Sequence, residues 1–142
     1  MVTLSQLDAS PWLLRVFAFA WGAVWGSFVN VVIYRVPRDM SVVRPASHCP
    51  ACGKPLGAID NVPIVSWLFL GGKARCCGAR ISPRYVVVEA LGGLVGLAIY
   101  EVLVRPLPGD TSLVQAGAIF LGDFGLAMAL LAAAFIDAEH MY

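Results

Sequence analysis

Three long apolar segments constrain this chain more than any other feature of its sequence. They cover about residues 11–34, 85–104 and 114–136, and each reaches the roughly 20 residues that a membrane-crossing helix needs at about 1.5 Å per residue. Of the 142 residues, 59% are hydrophobic and 13% are charged, against about half and about a quarter in soluble domains. We therefore predict an all-α polytopic membrane protein with about three transmembrane helices, in preference to buried core helices of a soluble protein.

The first apolar segment differs from a cleaved signal peptide. No Lys or Arg precedes Arg15, whereas a signal peptide begins with a basic region and ends in a small-residue cleavage site. We expect this segment to stay in the mature protein as the first transmembrane helix.

The positive charges predict the orientation in the membrane. Eight of the ten Lys and Arg residues lie between the first two apolar segments, in a loop short enough for the positive-inside rule. Arg15 and Arg105 lie at the opposite face, where long basic side chains snorkel to the interface. We therefore predict a multi-pass protein of the bacterial inner membrane, with the loop in the cytoplasm and the N-terminus and residues 106–111 in the periplasm.

This orientation divides the chain into three predicted parts. Residues 1–36 hold the periplasmic N-terminus and the first helix, residues 37–84 the cytoplasmic loop, and residues 85–142 the second and third helices. The loop contains several prolines and glycines and little apolar core. We expect it to consist of short turns and ribbons, ordered by a metal or by the membrane helices.

All four cysteines, Cys49, Cys52, Cys76 and Cys77, lie in this loop. In a reducing compartment they should be thiols or metal ligands. The CxxC spacing of the first two is typical of a zinc knuckle, and a second knuckle is expected about 20–25 residues later. The cysteines there are adjacent, and neighbouring side chains rarely reach one ion in good geometry. A four-cysteine metal site and a loop of redox-inert thiols both remain open, and His48 is a weaker substitute ligand.

Three polar residues lie inside the predicted helices. Ser27 and Asn30 could hydrogen-bond to a neighbouring helix, and Arg84 or Arg35 is the expected partner of Glu89. We favour a structural role for Ser27, Asn30 and Glu89. Close helix contact is expected at three glycines of the second apolar segment, Gly92, Gly93 and Gly96.

Several short strings are distinctive together. They are GSFVNVVIYRVP (26–37), CPAC (49–52), NVPIVSW (61–67), CGARISPRY (77–85), Glu89 and LAAAFID (131–137). In this order and spacing the chain closely resembles the N-terminal half of bacterial type IV prepilin peptidases. These are polytopic aspartic peptidases of type IV pilus and type II secretion systems.

The resemblance implies two activities. Family members cleave the basic leader of type IV prepilins or pseudopilins at the cytoplasmic membrane face, and most then methylate the new N-terminal residue with S-adenosylmethionine. The cysteine loop looks like the zinc-binding segment of the family, which has been linked to methylation. Prepilins or pseudopilins and the lipid bilayer are therefore the expected partners, and nucleic acid is not expected.

The resemblance also assigns a catalytic role to Asp137. Proteolysis in the family is attributed to two aspartates at the membrane boundary, without a metal, and Asp137 matches the first of them. Paired with a second carboxylate, it could share a proton and activate water for peptide hydrolysis. The alternative is that Asp137 only marks where the third helix leaves the membrane.

The second knuckle departs from the family pattern. The family has CxxC there, and alignment of Cys77 with its second cysteine places Ala74 where the first belongs. Either Cys76 substitutes through a distorted turn, or the site holds zinc poorly or not at all.

The partner of Asp137 is the second departure. The second aspartate of the family lies in a GxGD motif, which this sequence lacks. Asp123 is 14 residues from Asp137, about 21 Å along a helix, and Glu139 points to another side of the helix. We expect the chain alone to be unable to cleave prepilin and interpret it as a truncated enzyme. A non-enzymatic membrane module with a metal-binding loop is the alternative.

Overall fold

Three long helices and the loop between the first two make up the structure, a computed structural model that describes residues 3–4 and 11–140. The α-helices are α1 (Pro11–Arg35), α2 (Val65–Phe69), α3 (Arg84–Ile99) and α4 (Leu113–His140). Helix α3 continues as a π-helical turn over Tyr100–Val104. Within the described residues, extended pairing is limited to isolated bridges, and no strand forms.

The three long helices are each long and apolar enough to cross a membrane. Their candidate spans are Trp12–Arg38, Arg84–Val104 and Leu113–Glu139, with mean hydropathies of 1.8, 1.9 and 2.2. Spans of this length and hydropathy are typical of transmembrane helices. The predicted fold class is confirmed, and the chain is a multi-pass membrane protein with its cysteines between the first two spans.

Helices α1 and α3 run antiparallel and touch through glycines. A Cβ added to Gly92 would lie 2.5 Å from the carbonyl oxygen of Gly22, and one added to Gly96 would meet the carbonyl oxygen of Ala18. Gly93 faces an aromatic ring of α1. There is no room for larger side chains here, so the two backbones are in direct contact. The predicted close approach at these glycines is confirmed.

Helix α4 packs on this pair through an apolar cluster. Its buried members are Val29 and Ile33 of α1, Val88 of α3, and Phe124, Met128 and Ala132 of α4. Other large apolar side chains of the helices are exposed, for example Phe17 and Leu126 at 61% and 62%. Such an apolar outer surface suits helices that lie in lipid.

Ion pairs join the helices at both ends of the bundle. At the end that carries the loop, here called the loop end, Arg84 at the start of α3 pairs with Glu139 of α4. At the opposite end, Arg15 and Arg105 both pair with Glu101. Charged side chains near lipid are costly when they are unpaired, so these pairs help to fix the relative positions of the helices.

The predicted partner of Glu89 is wrong. Arg84 pairs with α4 instead, and Arg35 donates hydrogen bonds to two loop carbonyl oxygens at 2.9 and 2.8 Å. Arg84 lies five residues before Glu89, and side chains at that spacing point about 140° apart on a helix. Glu89 accepts a hydrogen bond of 2.7 Å from the backbone N–H of Ile64 in the loop.

Candidate metal centre and membrane-boundary aspartate

The loop consists of two ribbon-like turns joined by short helical turns. One isolated bridge pairs His48 with Pro55, and another pairs Lys73 with Arg80. Between the two ribbons lie a 3₁₀ turn at Ala58–Asn61 and helix α2. These elements match the short turns and ribbons that the sequence predicts.

The first ribbon-like turn carries Cys49 and Cys52. The N–H of Cys49 donates to the carbonyl oxygen of Lys54 at 2.8 Å, and the N–H of Gly53 donates to the carbonyl oxygen of Cys49 at 2.9 Å. Gly53 has a φ of 70°, a conformation that glycine adopts readily because it lacks a Cβ. The tight turn brings the two thiols to the same side of the ribbon.

The second turn repeats this hydrogen-bonding pattern with one substitution. The N–H of Ala74 donates to the carbonyl oxygen of Ala79 at 2.8 Å, and the N–H of Gly78 donates to the carbonyl oxygen of Ala74 at 2.8 Å. Gly78 has a φ of 71°. Ala74 therefore occupies the position of the first cysteine of the turn, and Cys77 occupies that of the second.

Cys76 brings a fourth sulfur to the other three. Its Sγ lies 3.3 Å from that of Cys52 and 3.9 Å from that of Cys77, while Cys77 lies 3.7 Å from Cys49. All four sulfurs lie within 4.8 Å of one another. Sulfurs about 2.3 Å from a tetrahedral ion lie about 3.8 Å apart. The adjacent cysteines reach one centre because Cys76 faces Cys52 and Cys77 faces Cys49.

Local hydrogen bonds make the thiols unequal in acidity. The backbone of Ala51, followed by that of Cys52, hydrogen-bonds to the Cys49 sulfur and lowers the pKa of this thiol to about 6. The hydrogen bond with Cys52, with burial as the next cause, raises the pKa of Cys76 to about 12. The Cys49 sulfur is thus prepared to bind as a thiolate, and metal binding would displace a proton from Cys76.

Two polar residues border the cysteines. Arg75 Nε donates to Asp60 Oδ1 at 2.7 Å, which ties the second ribbon to the 3₁₀ turn. The His48 ring interacts with the carbonyl oxygen of Ala46 at 3.2 Å. His48 is not part of the converging group, which among the described residues comprises the four cysteines.

Asp137 lies on α4 at the loop end, with an exposed side chain. Glu139 is engaged by Arg84, and a spacing of two residues separates it from Asp137 by about 200° around the helix. Asp123 is also exposed and lies 14 residues earlier on the same helix. Neither acid is positioned to share a proton with Asp137.

Known proteins similar to this chain carry one consistent name. A protein called prepilin leader peptidase/N-methyltransferase from Myxococcus xanthus is 52% identical over 86 residues, covering 61% of this chain and 26% of the relative. Proteins of the same name from Klebsiella pneumoniae and Dichelobacter nodosus are 41% and 37% identical, covering 91% and 96% of this chain. The chain spans 54% and 53% of these two relatives. No solved structure matches the chain significantly.

The match to a family model covers most of the site described above. The sequence model described as the bacterial peptidase A24 N-terminal domain matches residues 20–103, which include most of α1, the whole cysteine loop and α3. Because this match spans more than half of the chain, the protein belongs to the bacterial peptidase A24 N-terminal domain family.

Proposed function

We propose that this chain is the N-terminal part of a prepilin leader peptidase/N-methyltransferase of the bacterial inner membrane. The observation that carries the proposal is the loop end of the bundle, where four thiols converge at the same end of the membrane helices as Asp137. The names of the relatives support it. Eight of the ten Lys and Arg residues lie at this end, which favours a cytoplasmic loop.

In this proposal, the four cysteines hold a structural zinc ion. Four thiolates fill a tetrahedral coordination shell and leave no position for a reactive water. The ion joins turns whose paired cysteines are 24 and 28 residues apart, in a loop with little apolar core of its own. Its contribution is therefore to order the loop, and peptide hydrolysis does not pass through it.

Asp137 supplies one of the two carboxylates of the peptidase. Two carboxylates that share a proton can activate a water molecule and protonate the leaving amine. The position of Asp137 at the membrane boundary suits a substrate whose leader lies in the cytoplasm. Neither Glu139 nor Asp123 of the same helix can pair with it, and the chain spans only 54% and 53% of two relatives. We therefore infer that the second carboxylate comes from outside these 142 residues.

A chimera would test the peptidase assignment. Joining this chain to the C-terminal remainder of the Klebsiella pneumoniae relative should give a protein that shortens a prepilin in cells lacking their own peptidase. The chain alone should not do so. Asp137→Asn should reduce cleavage about a thousandfold or more, because the paired carboxylates act as a unit. Asp123→Asn, which alters an exposed carboxylate of the same helix, should leave cleavage unchanged.

The size of the prepilin on a gel, before and after a timed pulse of expression, reports this cleavage. A chimera that inserts in the membrane but never cleaves would favour the non-enzymatic membrane module. Full cleavage by the Asp137→Asn chimera would remove Asp137 from the mechanism.

Reporter insertions would test the orientation. Alkaline phosphatase needs disulfides that form in the periplasm, so we expect activity when it is inserted after Pro108 and none after Gly57. Both sites are exposed and lie at opposite ends of the bundle. Activity at Gly57 with none at Pro108 would reverse the proposed topology.

A further inference from the structure

A cavity of about 470 Å³ lies between the loop and the loop-end halves of α1 and α3. This volume lies within the range of about 300–1,000 Å³ that is usual for small-molecule sites. Tyr34 and Tyr85 line its helical wall, and Trp67 of α2 lines the loop side. The lining also includes polar side chains, and two of them, Asn30 and Glu89, are buried acceptors.

Asn30 lines this cavity and keeps a buried acceptor without a partner. The residue is 3% exposed, and its Nδ2 donates to the carbonyl oxygen of Tyr85 at 3.0 Å. This is the hydrogen bond between helices that the sequence predicts. The Oδ1 atom is buried without any hydrogen-bond partner. A buried acceptor in this state costs free energy, which a ligand that donates a hydrogen bond would recover.

Glu89 adds a buried carboxylate to the same cavity. It is 8% exposed, and its neighbours are neutral donors, the N–H of Ile64 at 2.7 Å and the hydroxyl of Ser27. No Lys or Arg of the described segments forms an ion pair with it. Arg35 also borders the cavity, but loop carbonyl oxygens hold its guanidinium. Buried carboxylates normally have a cationic partner.

The two acceptors belong to one small region of the helix pair. Gly26 of α1 packs against the backbone of Glu89, and Asn30 lies one helical turn further along α1, against Tyr85. Both side chains line the same cavity, which places them within reach of one bound ligand. No basic side chain of the described residues bonds to either acceptor.

The loop wall has an unusual backbone conformation at the same place. Ile64 has a φ of 63° and a ψ of −51°, a positive-φ conformation that is uncommon for a β-branched residue. Its N–H is the donor to Glu89. Backbone conformations of this kind are concentrated at ligand and active sites.

We propose that this cavity binds an organic ammonium group, with Glu89 and Asn30 as its acceptors. An ammonium supplies a positive charge and three donors for the Glu89 carboxylate and the Asn30 Oδ1 atom. The inference rests on the proposed function, which involves two ligands with such a group. They are S-adenosylmethionine, through its α-amino group, and the new N-terminus of the processed pilin.

This assignment goes beyond the structural role that the sequence favours for Asn30 and Glu89. A purely structural pair would be expected to satisfy each other or a nearby basic side chain. The unpartnered Oδ1 and the carboxylate without a cation are the two observations that point to a ligand.

Calorimetric titration of the purified, zinc-loaded 142-residue chain in detergent would test the proposal. The probes are S-adenosylhomocysteine, a short peptide amide that begins with phenylalanine, and the N-acetylated form of that peptide. We expect at least one of the two ammonium-bearing probes to bind, and the acetylated peptide not to bind. Binding of S-adenosylhomocysteine alone assigns the cavity to the methyl donor. Binding of the phenylalanine peptide amide alone assigns it to the processed N-terminus.

Matched variants complete this test. Glu89→Gln keeps an oxygen for the N–H of Ile64 but removes the charge, and it should weaken binding at least tenfold. Asn30→Leu removes the unpartnered oxygen and should weaken binding to a similar degree. Asp39→Asn changes a loop carboxylate that does not line the cavity and should have no effect. Zinc content and helicity of each variant report its folding.

Two results would overturn the proposal: no binding of either ammonium-bearing probe, or unchanged binding by folded Glu89→Gln and Asn30→Leu variants. The chimera separates this failure from failure of the proposed function. If the peptidase assignment is right, the Glu89→Gln chimera still cleaves the leader and loses methylation of the product. If the unmodified chimera never cleaves, the peptidase assignment fails, while the calorimetric result still decides whether the cavity binds an ammonium.

Discussion

Cys76→Ala should abolish tight zinc binding by this chain, and the additional substitution Ala74→Cys should restore it. The two ribbon-like turns have the same pattern of backbone hydrogen bonds, and Ala74 occupies the position in the second turn that Cys49 occupies in the first. Both positions are buried, with Ala74 at 4% and Cys49 at 1% exposure. A thiol at position 74 should therefore face the same centre, and it would recreate the CxxC spacing in the second turn.

The expected size of this effect is large. Loss of Cys76 removes the sulfur that lies 3.3 Å from the Cys52 sulfur and leaves three sulfurs in the cluster. Disturbing even the outer partners of a metal ligand costs about 10–100-fold in affinity, so we expect loss of a ligand to cost at least about a hundredfold. The zinc content of the purified chain, with competition against a chromophoric chelator, measures it.

A neighbouring substitution serves as the control. Lys73→Ala changes an exposed side chain beside the second turn and should retain zinc. If Cys76→Ala also retains it, Cys76 is not a ligand and the interpretation as a four-sulfur site is wrong. If the double variant stays free of zinc, the structural equivalence of position 74 and Cys49 is wrong.

The membrane helices could be predicted from the sequence because their formation depends on the apolar residues of each segment alone. A segment of more than 20 apolar residues can satisfy its backbone only as a helix in lipid, whatever its neighbours are. The glycines of α3 likewise indicate close packing without specifying the partner. Their contacts with Gly22 and Ala18 depend on the antiparallel alignment of α1 and α3, which the sequence pattern does not contain.

The sequence predicts which cysteines could form a metal site, but not how their sulfurs converge. The spacing of Cys49 and Cys52 indicates a knuckle, whereas adjacent Cys76 and Cys77 leave the second half ambiguous. The distances between sulfurs depend on how the two turns face each other, and such pairing between distant segments cannot be read from spacing. The alternative in which Cys76 substitutes for the missing cysteine is the one that fits these distances.

The cavity was not predictable for the same reason. The sequence predicts a hydrogen bond between helices for Asn30, which the structure contains, and an arginine partner for Glu89, which it does not. The actual neighbour of Glu89 is a backbone N–H of Ile64, 25 residues away. A backbone donor leaves no trace in the side-chain pattern, so only the folded arrangement reveals a carboxylate without a cation.

Gly22→Ala should lower the free energy of unfolding of the chain by about 3 kcal/mol, the upper part of the usual range for overpacking. A Cβ at Gly22 would meet the carbonyl group of Gly92, with the carbonyl carbon at 2.8 Å. Because the obstructing atoms are backbone, the two helices must move apart rather than let a side chain rotate. Titration of the purified chain with a denaturing detergent, followed by helicity, measures the change.

Gly122→Ala is the matched control, because it makes the same chemical change in another membrane helix, where a Cβ would meet nothing within 4 Å. Both substitutions gain up to about 1 kcal/mol of helix propensity, so their difference isolates the contact between α1 and α3. Equal unfolding free energies would mean that the helices do not touch through Gly22.

Since Gly26 packs against Glu89 in the same interface, separation of the helices should also displace the carboxylate. Binding of an ammonium-bearing probe should then weaken in Gly22→Ala and remain unchanged in Gly122→Ala.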